Sequence, residues 1–348
     1  MKRTVLCVLL TGALLAAVPL HAASVSQATL LFLKIAPGAR PSGMGEAFVA
    51  LSDDATATWW NPAGLGFQHG REVTMMYVRW LPQFNLADLY YAYLAGTYEV
   101  PDWGTFGGDL IFLNLGSTTR TDEQGNTQGV FSSYEMAVTG TYGAQINPHL
   151  SMGVALKLAY SNLSPQGAGA ERGTGTATAV AADVGLLYKA PFLRGFSLGA
   201  NLSNMGPKVS YIDRAQADPL PTNLKAGFAY KILDQEYNKL TIASDLNKEL
   251  VKRDENGKSD EFYTALFSAW NDRALVKTFI WNIGMEYWYS TLVGLRAGYW
   301  NDDLGKVFPY TFGVSLQYST YRFDFSYLTA GTNHPLTDTM RYSLSVNL

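Results

Sequence analysis

The chain closes on "TMRYSLSVNL", residues 339–348, and the reading of this stretch decides the fold. Tyr342, Leu344, Val346 and Leu348 share one parity; Arg341, Ser343, Ser345 and Asn347 share the other. Side chains of a strand alternate between its two faces, so this is a strand with one apolar and one polar face. Terminal segments fray unless tied down. A closed barrel ties this one down, because its last strand pairs with its first and leaves no free edge.

The same alternation extends through the chain. "YTFGVSLQYS" (310–319) sets Tyr310, Phe312, Val314, Leu316 and Tyr318 against Thr311, Gly313, Ser315, Gln317 and Ser319. "YRFDFSYL" (321–328), "SMGVALKLAY" (151–160) and "NLKAGFAYKI" (223–232) repeat it. About fourteen such strands are expected, starting near 71, 86, 105, 131, 150, 175, 195, 222, 238, 278, 291, 310, 320 and 339, an even number as in bacterial barrels.

The gaps sort by parity. Short turns follow even strands, as in "NPHL" (147–150), "YST" (289–291) and "STY" (319–321). Long loops follow odd strands, at 118–131, 163–175, 204–221, 252–277 and 329–338. Short periplasmic turns and long outer loops are the pattern of a transmembrane barrel. A soluble sandwich alternates within strands but has no reason to sort its loops.

Composition agrees. Aromatics make up 13% of the 348 residues and charged residues only 16%, against the usual ~25%. Beyond the first 24 residues no apolar stretch reaches the ~18 of a membrane helix, and no basic stripe suggests nucleic acid. The polar face is rich in Gly, Ala and Ser. Its charges are Lys157, Asp183, Lys225, Asp245, Glu286, Arg296, Arg322, Asp324 and Arg341. A one-residue slip would turn Arg296, Arg322 and Arg341 toward lipid at ~2–4 kcal/mol each near the midplane, which fixes the register. Glu286 and Arg296 are equidistant from a turn near Thr291, so they are expected to pair across neighbouring strands in the lumen.

"MKRTVLCVLLTGALLAAVPLHAAS" reads as a signal peptide over 1–22: a basic start at Lys2 and Arg3, an apolar core, and a small-residue end cleavable after Ala22 or Ala23. Its removal takes the formal charge from −3 to −5. Cys7, the one cysteine, leaves with it. No disulfide or thiol chemistry is then expected.

Residues 23–70 break the strand pattern, and 71–348 are assigned to the barrel. "APGARPSGMGEAFVALSDDATATWWNPAGLGF" (36–67) is too irregular for a strand and too apolar for a loose tail. It is expected to be a plug inside the barrel, the alternative being a periplasmic extension. Ser52 reads as a helix N-cap before Asp53 and Asp54, and Asn61-Pro62 ends that short helix. Trp59, Trp60, Asn61 and Pro62 form the plug motif. The insert 252–277 opens with the charged run "KRDENGKSDE", after which Phe262, Leu266, Ala269 and Trp270 follow helical spacing. It is expected outside the cell. Tyr211, Ile212, Phe262 and Trp270 on the outer loops are the candidate anchors for a partner.

No catalytic chemistry is evident. His21, His69, His149 and His334 are scattered, and there is no metal-spaced cluster, no H-E-x-x-H and no G-x-S-x-G. "GAGAERGTG" (167–175) breaks the dinucleotide spacing and reads as a loop. An enzyme, a cofactor and a metal are not expected.

Several blocks resemble the PorV/PorQ family of outer-membrane proteins. They are "SGMGEAFVALSDDATATWWNPAGLGF", "GANLSNMGPKVSYI", "PTNLKAGFAY", "NKLTIASDLNKELV", "EYWYSTLVGLRAGYW" and "GTNHPLTDTMRYSLSVNL", in the family's order. FadL-type transporters of hydrophobic compounds share the Asn-Pro-Ala element. The resemblance implies a FadL-like fourteen-stranded barrel with an N-terminal plug. It also implies a role in type IX secretion, in which folded cargo is received through a C-terminal secretion domain and carried onward. The partners so implied are outer-membrane lipid, secreted cargo and other secretion components. The rival reading is a channel for hydrophobic small molecules.

Overall fold

The computed structural model describes all residues except 1–27, 87, 123, 165–173, 212–215, 255–257, 273 and 333. The expected signal peptide, most of the glycine-rich loop and Ile212 therefore lie outside the described residues.

Fourteen strands form one closed antiparallel barrel in sequence order. The first seven are β1 (Arg71–Arg79), β2 (Tyr90–Val100), β3 (Gly104–Thr121), β4 (Thr127–Asn147), β5 (Leu150–Ser164), β6 (Gly175–Lys189) and β7 (Phe196–Met205). The rest are β8 (Asn223–Asp234), β9 (Asn238–Glu249), β10 (Phe279–Tyr289), β11 (Val293–Asp302), β12 (Tyr310–Tyr318), β13 (Tyr321–Thr329) and β14 (Thr339–Asn347).

The terminal strand has no free edge. It pairs with β13 on one side and with β1 on the other, in register from Glu72↔Asn347 to Val78↔Arg341. The Leu348 amide then donates to the Arg71 carbonyl at 2.8 Å. The alternation holds: Arg341, Ser343 and Ser345 are buried, while Met340, Tyr342 and Leu344 face outward. In β12, Thr311 and Ser315 are buried and Phe312, Val314 and Leu316 are exposed. An apolar outer band around a polar interior is the arrangement hydrocarbon demands. All nine charges expected on the polar face are buried.

Loop lengths keep their parity, with one change. The expected loop 118–131 is mostly strand, because β3 runs to Thr121 and β4 starts at Thr127, the two paired as a ribbon. Its residues carry Thr and Ser, with Thr118, Thr119, Thr127 and Ser132 exposed. Beyond the bilayer, water wets both faces, so the apolar/polar alternation that marks a membrane strand lapses.

Residues 28–70 form short elements, much of whose length packs against inward-facing residues of the strands. They include α1 (Ala39–Gly43), α2 (Ala57–Trp60) and a 3-10 turn (Pro62–Phe67). Phe32 and Leu33 pack in one apolar cluster with Tyr91 and Ile111; Met44, Phe48 and Trp60 form a second with Ala229 and Ala243. Ser52 is not the helix cap. It lies at φ 37°, and its hydroxyl donates to the Phe48 carbonyl at 2.9 Å. Asp54 instead receives the Thr56 amide at 3.1 Å and binds two arginines. Those tertiary ion pairs outweigh a local cap worth about 1 kcal/mol.

Two outcomes follow from this architecture. Detergent-extracted protein should migrate faster unboiled than boiled on a gel, and a detergent-free soluble monomer would contradict the barrel. Leu156→Arg, on the outer face of β5, should lower folding stability in lipid vesicles by ~2–4 kcal/mol if it lies near the midplane, read by urea titration.

Candidate functional site

The interior is organised by Arg40, the cation of α1. Its Nε and Nη2 donate to the two carboxylate oxygens of Glu286, each at 2.8 Å. Its Nη1 donates to Asp54 at 3.0 Å and to Asp53 at 2.6 Å. Glu286 is the direct register partner of Arg296, whose Nε donates to it at 2.6 Å. Arg322 joins Asp54 at 3.1 Å to Asp324 at 3.0 Å. Glu286 and Asp54 are thus each shared by two guanidiniums. Burial by itself would raise the Asp54 carboxyl, but Arg322 and Arg40 hold it below the usual carboxylate range. Charges removed from water persist only when paired and hydrogen-bonded in this way.

The plug motif is built into the same interior. Asn61 Nδ2 donates to the Val49 carbonyl at 2.8 Å and to the Leu186 carbonyl of β6 at 3.0 Å, while its Oδ1 caps the Ala63 amide at 3.1 Å. Pro62 starts the 3-10 turn, where its missing N–H costs nothing. Trp60 Nε1 donates to the Pro37 carbonyl at 3.0 Å, and Trp59 packs edge-on against Trp60 at 4.8 Å. These four residues are structural ties in the described chain.

Bare patches of wall receive the segment. Gly284 and Gly298 are register partners on β10 and β11, and Met44-Gly45 lies directly on them. A Cβ on Gly284 would come within 2.1 Å of the Met44 carbonyl oxygen, and one on Gly298 within 2.1 Å of the Gly45 nitrogen. Asp245 accepts the Phe48 and Val49 amides at 2.7 and 2.9 Å, and Asn282 Nδ2 donates to the Gly45 carbonyl at 2.7 Å. Sequence reading placed Asp245 on the inner face but missed Arg40, Asp54 and Asn282. The available signal was a lone arginine in the otherwise uncharged "IAPGARPSGMG".

A cavity of about 270 Å³ lies between Trp59, Trp60 and the long-loop ends of the strands. Its lining combines indoles and aliphatic side chains with Lys157, Asn201, Lys225 and Arg341.

The loops after β7 and β9 are laced together over this end. Lys208 pairs with Glu261 at 3.3 Å, and Arg253 pairs with Asp218. Helix α3 (Phe262–Ser268) in the insert buries Ala265 and half-buries Phe262 and Leu266. Its outer side carries Tyr263 and Phe267, the latter 80% exposed, and Val276 beyond it is 84% exposed. Trp270 is partly exposed and donates Nε1 to the Leu266 carbonyl at 2.8 Å. Tyr211 points inward: it packs on the first apolar cluster and donates its hydroxyl to Ser161 at 2.9 Å. Of the expected anchors, Trp270 is exposed, Phe262 is half-buried and Tyr211 faces inward; Tyr263, Phe267 and Val276 are the further exposed apolar side chains of the insert. The helix buries the face carrying Ala265, Phe262 and Leu266 and leaves Tyr263, Thr264 and Phe267 outside.

Comparison with known proteins adds a family and a fold. The model of the family described as "Type IX secretion system protein PorV" matches residues 21–256. Comparison with curated proteins returns no match. Among solved structures, the P. putida toluene transporter TodX is 17% identical, with a TM-score of 0.54, covering 90% of this chain and 98% of that one. The Ralstonia pickettii toluene transporter TbuX is 14% identical, TM-score 0.52, covering 89% and 96%. At such identities the likeness concerns the fold alone.

Arg40→Met should leave Glu286 and Asp54 short of a partner, a buried-pair loss of about 3–5 kcal/mol. Gly298→Leu should push Met44-Gly45 off the wall. Both variants should still insert, yet show raised conductance in planar bilayers and faster proteolysis within residues 36–67. Wild-type conductance in both would mean that other groups close the lumen.

Proposed function

Because the chain belongs to the PorV family, and so to the outer-membrane components of the type IX secretion system, we propose that it is a closed docking barrel. In this reading, cargo carrying a C-terminal secretion domain is held at its extracellular loops and passed to the next component. The observation that carries the reading is the contrast between inside and outside. The interior is crossed by a segment locked through shared arginine–carboxylate bonds. The outer insert meanwhile presents Tyr263, Phe267 and Val276 with no cover among the described residues. Exposed apolar clusters of this kind mark interaction surfaces.

In the same proposal residues 1–22 are a cleaved export signal, 23–70 act as the plug, and the barrel carries out no chemistry. Among the described residues no group of three His, Cys, Asp or Glu side chains is placed to hold a metal ion. A second reading, passage of hydrophobic small molecules, is favoured by the indole-lined cavity and by a fold shared with proteins described as toluene transporters.

A deletion strain separates the two. Docking requires that cargo with a C-terminal secretion domain accumulate behind the outer membrane, and that Phe267→Ser with Val276→Ser reproduce the defect in a heat-modifiable, inserted barrel. If the deletion strain displays cargo normally but fails to take up a hydrophobic substrate, the channel reading stands instead.

A further inference from the structure

The cavity is lined by a cation that makes no direct ion pair among the described residues. Four cations line it: Lys34, Lys157, Lys225 and Arg341. Lys34 pairs with Glu249, Lys157 with Asp183 at 3.2 Å, and Arg341 with Glu46 at 3.5 Å. Lys225 has no carboxylate within ion-pair distance and no hydrogen-bond partner among the described residues. It is only 7% exposed, and its Nζ rests 3.9 Å from the centroid of the Trp60 ring. The nearest carboxylate, Asp245, accepts the Phe48 and Val49 amides through one oxygen, and its other oxygen is buried without a hydrogen-bond partner among the described residues.

Two further polar atoms of the lining lack partners among the described residues. Trp300 Nε1 is a buried donor with nothing to donate to, and Asn201 Oδ1 is a buried acceptor with nothing to accept. Asn201 is the register partner of Lys225 on β7. Lys225 is the register partner of Asn247 on β9, Asn247 Nδ2 donates to Asn282 Oδ1 on β10 at 2.6 Å, and Asn282 is the register partner of Trp300. The free donors therefore sit on one continuous arc of wall. Glu46 is occupied by Arg341, and the Asp302 carboxylate accepts the Gly305 amide at 2.8 Å. Neither of these two acids of the lining is paired with Lys225.

A buried ammonium without an ion-pair contact costs free energy unless an anion meets it. The rest of the lining selects the body of that anion. Trp59, Trp60, Trp80 and Trp300 all contribute to it, and indole faces favour flat aromatic rings over chains. A volume of about 270 Å³ sits at the small end of ligand pockets, roughly 300–1,000 Å³. We propose that this cavity binds a small aromatic carboxylate. The carboxylate is the counter-ion of Lys225 and an acceptor for Trp300 Nε1, and the ring lies among the tryptophans. The site is independent of the docking surface on the insert.

The test is calorimetric titration of the full-length protein in nanodiscs, with empty nanodiscs as reference. The probes are 2-naphthoate, 2-naphthalenemethanol (same ring, no charge) and acetate (same charge, no ring). Saturable binding of 2-naphthoate is expected at least about tenfold tighter than the alcohol, with no acetate binding at matched concentration. Lys225→Met should abolish the preference for the acid while leaving the alcohol unchanged, and Lys225→Arg should retain it. Trp300→Phe should weaken the acid several-fold, which decides the matter if Lys225→Met fails to give a heat-modifiable barrel. Equal affinity for acid and alcohol, an unaltered preference in Lys225→Met and Trp300→Phe, or uptake no greater than by empty nanodiscs would each overturn the proposal.

Discussion

A strand ladder carries unpaired N–H and C=O groups along each open side, and in hydrocarbon each of them costs several kcal/mol. The pairing of β1 with β14 removes the last open side here. Much else in the molecule answers to that closure. Strands wet on one side and lipid-covered on the other must alternate strictly, so the charges have only the inside to go to. Fourteen strands also enclose more space than their own side chains fill, and this leaves room for residues 28–70.

Filling the lumen with polypeptide raises its own problem, since the segment brings backbone polar groups and charges into a space with little water. Two devices meet it. Wall glycines such as Gly284 and Gly298 let the chain lie directly on the strands, where Asn282, Asp245 and Asn61 satisfy main-chain groups. Arg40, Arg296 and Arg322 face Glu286, Asp54 and Asp324, with Asp53 and Glu72 also within ion-pair reach of Arg40 and Arg322. Such a buried network adds little net stability over an apolar filling, because desolvation consumes most of the attraction. Its effect is selective: Arg40 meets both Glu286 and Asp54 in one seating of α1, so a shifted segment would strand charges.

The family match spans residues 21–256, covering the lumen segment and the first nine strands. The apolar side chains that α3 presents lie beyond that span. The matched span supplies Arg40, Asp54 and Asp245 to the interior, while Glu286, Arg296 and Arg322 and the wall glycines Gly284 and Gly298 come from strands beyond it.

Period-two alternation and the parity of loop lengths make the strands of the barrel wall and their inward charges legible in the sequence, though not the outward ribbon of β3 and β4. Each follows from a local rule: a strand's faces alternate, and lipid tolerates no charge on one of them. Even the Glu286–Arg296 pair was legible, since distance from a turn sets register across a hairpin. The position of Ser52, the inward turn of Tyr211 and the role of Arg40 were not. They depend on contacts between residues up to 268 positions apart, as in Asp54 with Arg322, and no local period encodes such contacts. The solitary state of Lys225 was equally hidden. A sequence shows that a lysine faces inward, but only the packed lumen decides which carboxylates reach it.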